Sequence, residues 1–183
     1  SEKTSTTTAL GELQKFRAEF PNSWQINQVM PTIAQLQMDA GDYKGATATF
    51  EEMTLMDVLP ADVKSNAKLM TVQVAVRSGD VKGAQKKLAA LEAEAANNPK
   101  FASRVKMTKA EVLVGLNQTD EAMKLLFQVI KENNEKDTKA LAHNTLGECL
   151  FKANRFEEAR WEFIWVDTIY NQDRTQHAKA LYY

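Results

Sequence analysis

Small and large apolar residues return in a fixed rhythm along this chain. Ala46, Ala84, Ala122 and Ala159 lie 38, 38 and 37 residues apart. Four residues after each comes Phe50, Leu88, Leu126 or Phe163, and seven after each comes Met53, Leu91, Val129 or Val166. Spacing of 0, +4 and +7 is one face of an α-helix. A turn phrase precedes each alanine. It reads Gly41-Asp42-Tyr43-Lys44-Gly45 and Gly79-Asp80-Val81-Lys82-Gly83, then decays to Asn117-Gln118-Thr119-Asp120-Glu121 and Asn154-Arg155-Phe156-Glu157-Glu158. Glycine supplies the tight turn because it tolerates positive φ, and aspartate caps the next helix. The same column extends back to Ala9, Leu13 and Phe16, with no Gly-Asp turn before it.

Reading backwards from each alanine predicts partner helices over Ser23–Ala40, Ala61–Ser78, Phe101–Leu116 and Thr138–Ala153. Stop signals separate them: Pro21-Asn22-Ser23, Pro60-Ala61-Asp62, Asn97-Asn98-Pro99, Asn133-Asn134 and Asn171-Gln172-Asp173. The expected organisation is a single stacked-repeat solenoid over 1–183. A polar linker (1–8) and the second helix of an incomplete repeat (9–20) come first. Repeats at 23–57, 61–96, 100–133 and 137–170 follow, then the start of a truncated repeat (174–183). That gives about nine full helices plus a truncated one. Half-repeats at both ends predict a piece of a longer array. Pro31 falls inside the first partner helix. It predicts either a kink or a helix that starts only at Met30, after a separate turn over Trp24–Val29.

Composition narrows the class without adding chemistry. With 7 Gly and 4 Pro in 183 residues, turn formers are too scarce for an all-β chain. Net charge is −1, from 23 basic and 24 acidic side chains, so no general basic field is available to grip nucleic acid. Cys149 is the single cysteine, which excludes an intrachain disulfide framework.

The best-preserved repeat, Leu146-Gly147 through Phe156, Ala159 and Phe163, resembles the tetratricopeptide repeat. The first repeat is similar through Gly41, Tyr43, Ala46 and Phe50. Val72 and Ala110 stand where the family has glycine, and the period exceeds the family's usual length of about 34. The resemblance implies an all-α fold, a right-handed superhelix of antiparallel helix pairs. Its groove would be lined by the first helix of each pair and used to hold peptides or proteins. Phe20-Pro21-Asn22-Ser23 and Tyr170-Asn171-Gln172-Asp173 are similar to links in bacterial envelope tetratricopeptide proteins. That weaker likeness leans toward a soluble bacterial protein, exported or periplasmic rather than cytoplasmic.

Carried over from the family, the groove-facing residues are Gln35, Met70, Gln73, Arg104, Met107, Glu111, Asn144 and Glu148. Amides can donate to and accept from a peptide backbone, and methionine offers adaptable apolar contact. The few basic side chains argue against a clamp for a terminal carboxylate.

A second candidate surface comes from the fourth repeat's departure from its siblings. Two and six residues after the alanines the chain has Ala48, Lys86, Lys124 and Trp161, then Glu52, Ala90, Gln128 and Trp165. Trp161, Trp165 and Ile169 form an outward apolar stripe. It reads either as a protein contact or homodimer seam, or as a surface covered by the fifth repeat and residues beyond it.

Residues fit for catalysis, metal binding or cofactor binding do not converge. His143 and His177 are 34 apart with no ligand-spaced partner, His143 reads as a packing residue, and Cys149 reads as a buried thiol. No phosphate loop occurs. The expected function is a non-enzymatic scaffold binding a protein or peptide, with no cofactor, no nucleic acid and no membrane insertion. The alternative is a docking or regulatory segment of a larger enzyme or envelope assembly complex.

Overall fold

The computed structural model describes the backbone of residues 2–96 and 98–183, with side chains from Thr6 onward. Ser1 of the expected linker and Asn97 of an expected link lie outside the described residues. Ten helices and no strand are found among those described: α1 (Glu2–Glu19), α2 (Ile26–Asp39), α3 (Tyr43–Leu55), α4 (Ala61–Arg77), α5 (Val81–Ala95), α6 (Pro99–Gly115), α7 (Thr119–Glu132), α8 (Lys136–Lys152), α9 (Phe156–Thr168) and α10 (Arg174–Tyr182). The fold is an all-α helical repeat.

The helices cluster into two compact units, Ser1–Lys87 and Leu88–Tyr183, with the boundary inside α5. In the first unit each of α1 to α4 packs on its chain neighbour, and α2 also packs on α4. In the second, α6 to α10 do the same, and the alternate helices α6, α8 and α10 pack in succession.

The apolar rhythm explains both cores. All four repeat alanines are buried, as are Phe50, Leu88, Leu126 and Phe163 four residues on and Met53, Leu91, Val129 and Val166 seven on. Ala9 departs from the column and is exposed, while Leu13 and Phe16 are half-buried. The alanine is packed only where a partner helix crosses close to it. The Thr-rich stretch expected as a linker belongs to α1, whose backbone is helical from Glu2. Once the turns around Leu10–Phe16 exist, each further residue adds one hydrogen bond, so moderate formers such as threonine can extend them.

The turn phrase decays in letters more than in geometry. Gly41 and Gly79 have φ of 78° and 83°, and Asn117 and Asn154, which replace them, both have φ of 61°. Asparagine is among the few non-glycine residues that tolerate this left-handed conformation. The rest of the phrase changes as a unit. Asp42 Oδ1 accepts from the Gly45 amide at 2.9 Å, and Asp80 Oδ1 from the Gly83 amide at 2.9 Å. A Cβ on either glycine would lie 2.1 or 2.0 Å from the capping carboxylate. Where the cap is lost, at Gln118 and Arg155, the glycine becomes Glu121 or Glu158. These first-turn carboxylates answer the helix dipole instead. Asn154→Ala is therefore expected to cost about 1 kcal/mol in urea unfolding, with Asn154→Gly close to neutral.

α2 settles the two readings of Pro31. The helix begins at Ile26, runs through the proline, and leaves Trp24 and Gln25 in the preceding turn. Ile26, Met30 and Ile33 are fully buried. At roughly 2 kcal/mol each, their burial outweighs the ~3 kcal/mol cost of an interior proline.

Candidate functional site

α9 carries the stripe. Ala159, Phe163 and Val166 bury one face, which turns Trp161, Trp165 and Ile169 outward. They remain 58, 48 and 48% exposed. α10 packs on α8 and α9 and leaves Trp161, Trp165 and Ile169 open.

The tryptophans stand on a fixed base. The His143 imidazole of α8 stacks on Trp165, with centroids 5.9 Å apart and planes at 21°, and on Tyr170 at 5.3 Å and 20°. Its Nδ1–H donates to Glu162 Oε2 at 2.7 Å. Both partners of this bond are largely buried. His143 thus packs, as expected, but Glu162 and Tyr170 escaped the sequence reading. A signal existed, because the column of Glu162 holds Thr49, Lys87 and Leu125 in the other repeats. On the other side, the Arg160 guanidinium lies 5.8 Å from the Trp161 ring centroid. The remaining histidine, His177 on α10, is half-buried, with Nε2 2.8 Å from Asp167 Oδ1.

The eight groove residues fare unequally. Gln35 is exposed on α2, where its amide donates to Asp39. Met70 is half-buried against the core of the first unit. Gln73 on α4, and Arg104 and Glu111 on α6, are partly exposed and engaged with neighbours. Two need correcting. Met107 lies in the core of the second unit, because its position on α6 turns it toward the packed helices. Asn144 is fully buried beneath α10, where its Nδ2 donates to the Gln176 carbonyl and to Gln176 Oε1, both at 2.9 Å. Glu148 is mostly covered and pairs with Lys179 of the same α10. α10 therefore occupies the expected groove face of α8.

Cys149 is buried, and desolvation pushes its thiol up to about 12, with the Glu111 and Glu148 charges adding to the effect. Native protein at about pH 8 is expected to alkylate at least ~100-fold more slowly than unfolded chain, measured by mass shift. No group of three or more His, Cys, Asp or Glu among the described residues could hold a metal ion. No helix among them is long and apolar enough to cross a membrane.

Residues 60–182 match a family model described as a tetratricopeptide repeat-like domain. No curated protein and no solved structure matches the chain.

Proposed function

Because the chain belongs to the tetratricopeptide repeat-like family, we propose that it is a non-enzymatic scaffold that holds a protein partner, with α9 as its main contact. Repeats of this family suit protein interaction. The observation that carries the choice of surface is the pair Trp161 and Trp165, both about half exposed, with Trp165 stacked on His143. Large aromatic side chains that are ordered before contact lose little entropy on binding, and they dominate interface energetics. A surface of this kind is costly to leave in water unless something covers it.

The family's groove positions offer further contacts within each unit, at Gln35, Met70 and Gln73 in the first and, separately, at Arg104 and Glu111 in the second. In the larger setting, the same scaffold would serve as the docking segment of an enzyme or an envelope assembly. Pull-down with the wild-type chain and with Trp161→Ala/Trp165→Ala tests the reading. The variant should keep its helical circular dichroism and lose most of one identifiable partner. Undiminished recovery of every partner would rule out α9 as the contact.

A further inference from the structure

Resting on the scaffold reading, we infer that the α9 stripe receives a basic amphipathic helix of another protein. Charge points to this occupant first. α9 carries four carboxylates, Glu157, Glu158, Glu162 and Asp167, against one guanidinium, Arg160, a net of −3, whereas the whole chain has a net charge of −1. Glu158, Trp161 and Trp165 stand at i, i+3 and i+7 and share one helix face. At that acidic end Arg155 is already divided between Glu158 and Asp120, and Arg160 pairs with Glu157, so two cations face three carboxylates. Hydrogen bonding from Arg155 also holds the Glu158 carboxyl below its usual range, so it stays ionised. Asp120 and Glu157 are also ion-paired, with Arg155 and Arg160, but stay open to solvent at side-chain exposures of 81 and 82%.

The indoles reinforce the preference for a cation. Arg160 already lies over Trp161, so an indole of this stripe accepts a guanidinium. An incoming Arg or Lys can lie over Trp165 in the same manner. The shape favours a helix. Trp161, Trp165 and Ile169 repeat every four residues over about 12 Å, which is the ridge that a second helix packs against. Among the described residues there is no strand edge that an extended peptide could join.

A second copy of this chain fits poorly. Pairing α9 with its equivalent would set the same carboxylates against each other. An anionic membrane is disfavoured by the same charge.

The test is calorimetry of the intact chain with a Leu/Lys amphipathic helical peptide of about 18 residues, and with its Leu/Glu counterpart. The Leu/Lys peptide should bind, and more weakly as salt rises. Trp161→Ala/Trp165→Ala should weaken it roughly tenfold or more. Glu157→Gln/Glu158→Gln should weaken it several-fold with the fold intact. The Leu/Glu peptide should not bind. Equal binding by the tryptophan variant would overturn the inference, and so would a preference for the Leu/Glu peptide. Self-association that is lost in the tryptophan variant would assign the stripe to a second copy. Capture by phosphatidylglycerol vesicles that is lost in that variant would assign it to a membrane. If a cellular partner depends on the tryptophans while the Leu/Lys peptide fails to bind, the basic-helix inference falls and the scaffold reading stands.

Discussion

Replacing His143 with alanine is expected to cost about 3 kcal/mol and to loosen Trp165. Two losses add. The Glu162 carboxylate keeps its buried position but loses the Nδ1–H donor at 2.7 Å, so a largely desolvated charge is left without its partner. The space under Trp165 and Tyr170 also empties, which removes both ring stacks. Urea unfolding measures the first effect, and acrylamide quenching of tryptophan emission the second. His143→Ala/Glu162→Ala should cost less than the two single changes together, because the second change removes the orphaned charge. His143→Gln keeps a donor without the aromatic face, so it should recover part of the stability and little of the quenching protection. A loss below about 1 kcal/mol for His143→Ala would mean that the imidazole only fills space.

Gly147→Val should be as damaging, by about 3 kcal/mol, through overpacking. A Cβ at this position meets Phe163 at 2.6, 2.7 and 3.0 Å. The ring has little freedom to retreat, because Tyr183 stacks on it at 4.9 Å with planes 6° apart. The sister repeat shows how the clash is avoided. There Ala110 and Leu126 occupy the equivalent positions, both fully buried in the same core. A larger residue on the first helix accompanies a smaller one on the second. Gly147→Ala/Phe163→Leu should therefore unfold at a urea concentration close to wild type, while Gly147→Ala alone should lose about 1–2 kcal/mol. If the double change is as unstable as the single one, volume exchange between these positions is not what holds the repeat.

These two sites mark where the sequence speaks clearly and where it falls silent. Gly147 and Phe163 were legible because both belong to a column that repeats. The alanine column located four helices and their buried faces, and its fourth member exposed Trp161 and Trp165. The column of Glu162 marks it as a departure from Thr49, Lys87 and Leu125, but its role lies in one hydrogen bond to α8, 19 residues back in the chain, and the column does not name that partner. The turn phrase seemed to fade at Asn117 and Asn154 because letters were compared, whereas the backbone keeps a positive φ at all four positions. Met107 and Asn144 were assigned to the groove from their place on the first helices. Which face of α6 or α8 stays open depends on what packs across it. For Asn144 that is α10, whose polar hold through Gln176 and Lys179 could not be read from spacing.

The central claim is that a protein partner is held on the outward face of α9. A photocrosslinking residue placed at Trp161 or Trp165, compared with one at Gln35 or Gln73, tests it most directly in the cell that makes the protein. The account predicts one discrete adduct from the α9 positions, with at most weak adducts from α2 and α4. A strong adduct confined to Gln35 or Gln73, with none from α9, would contradict it.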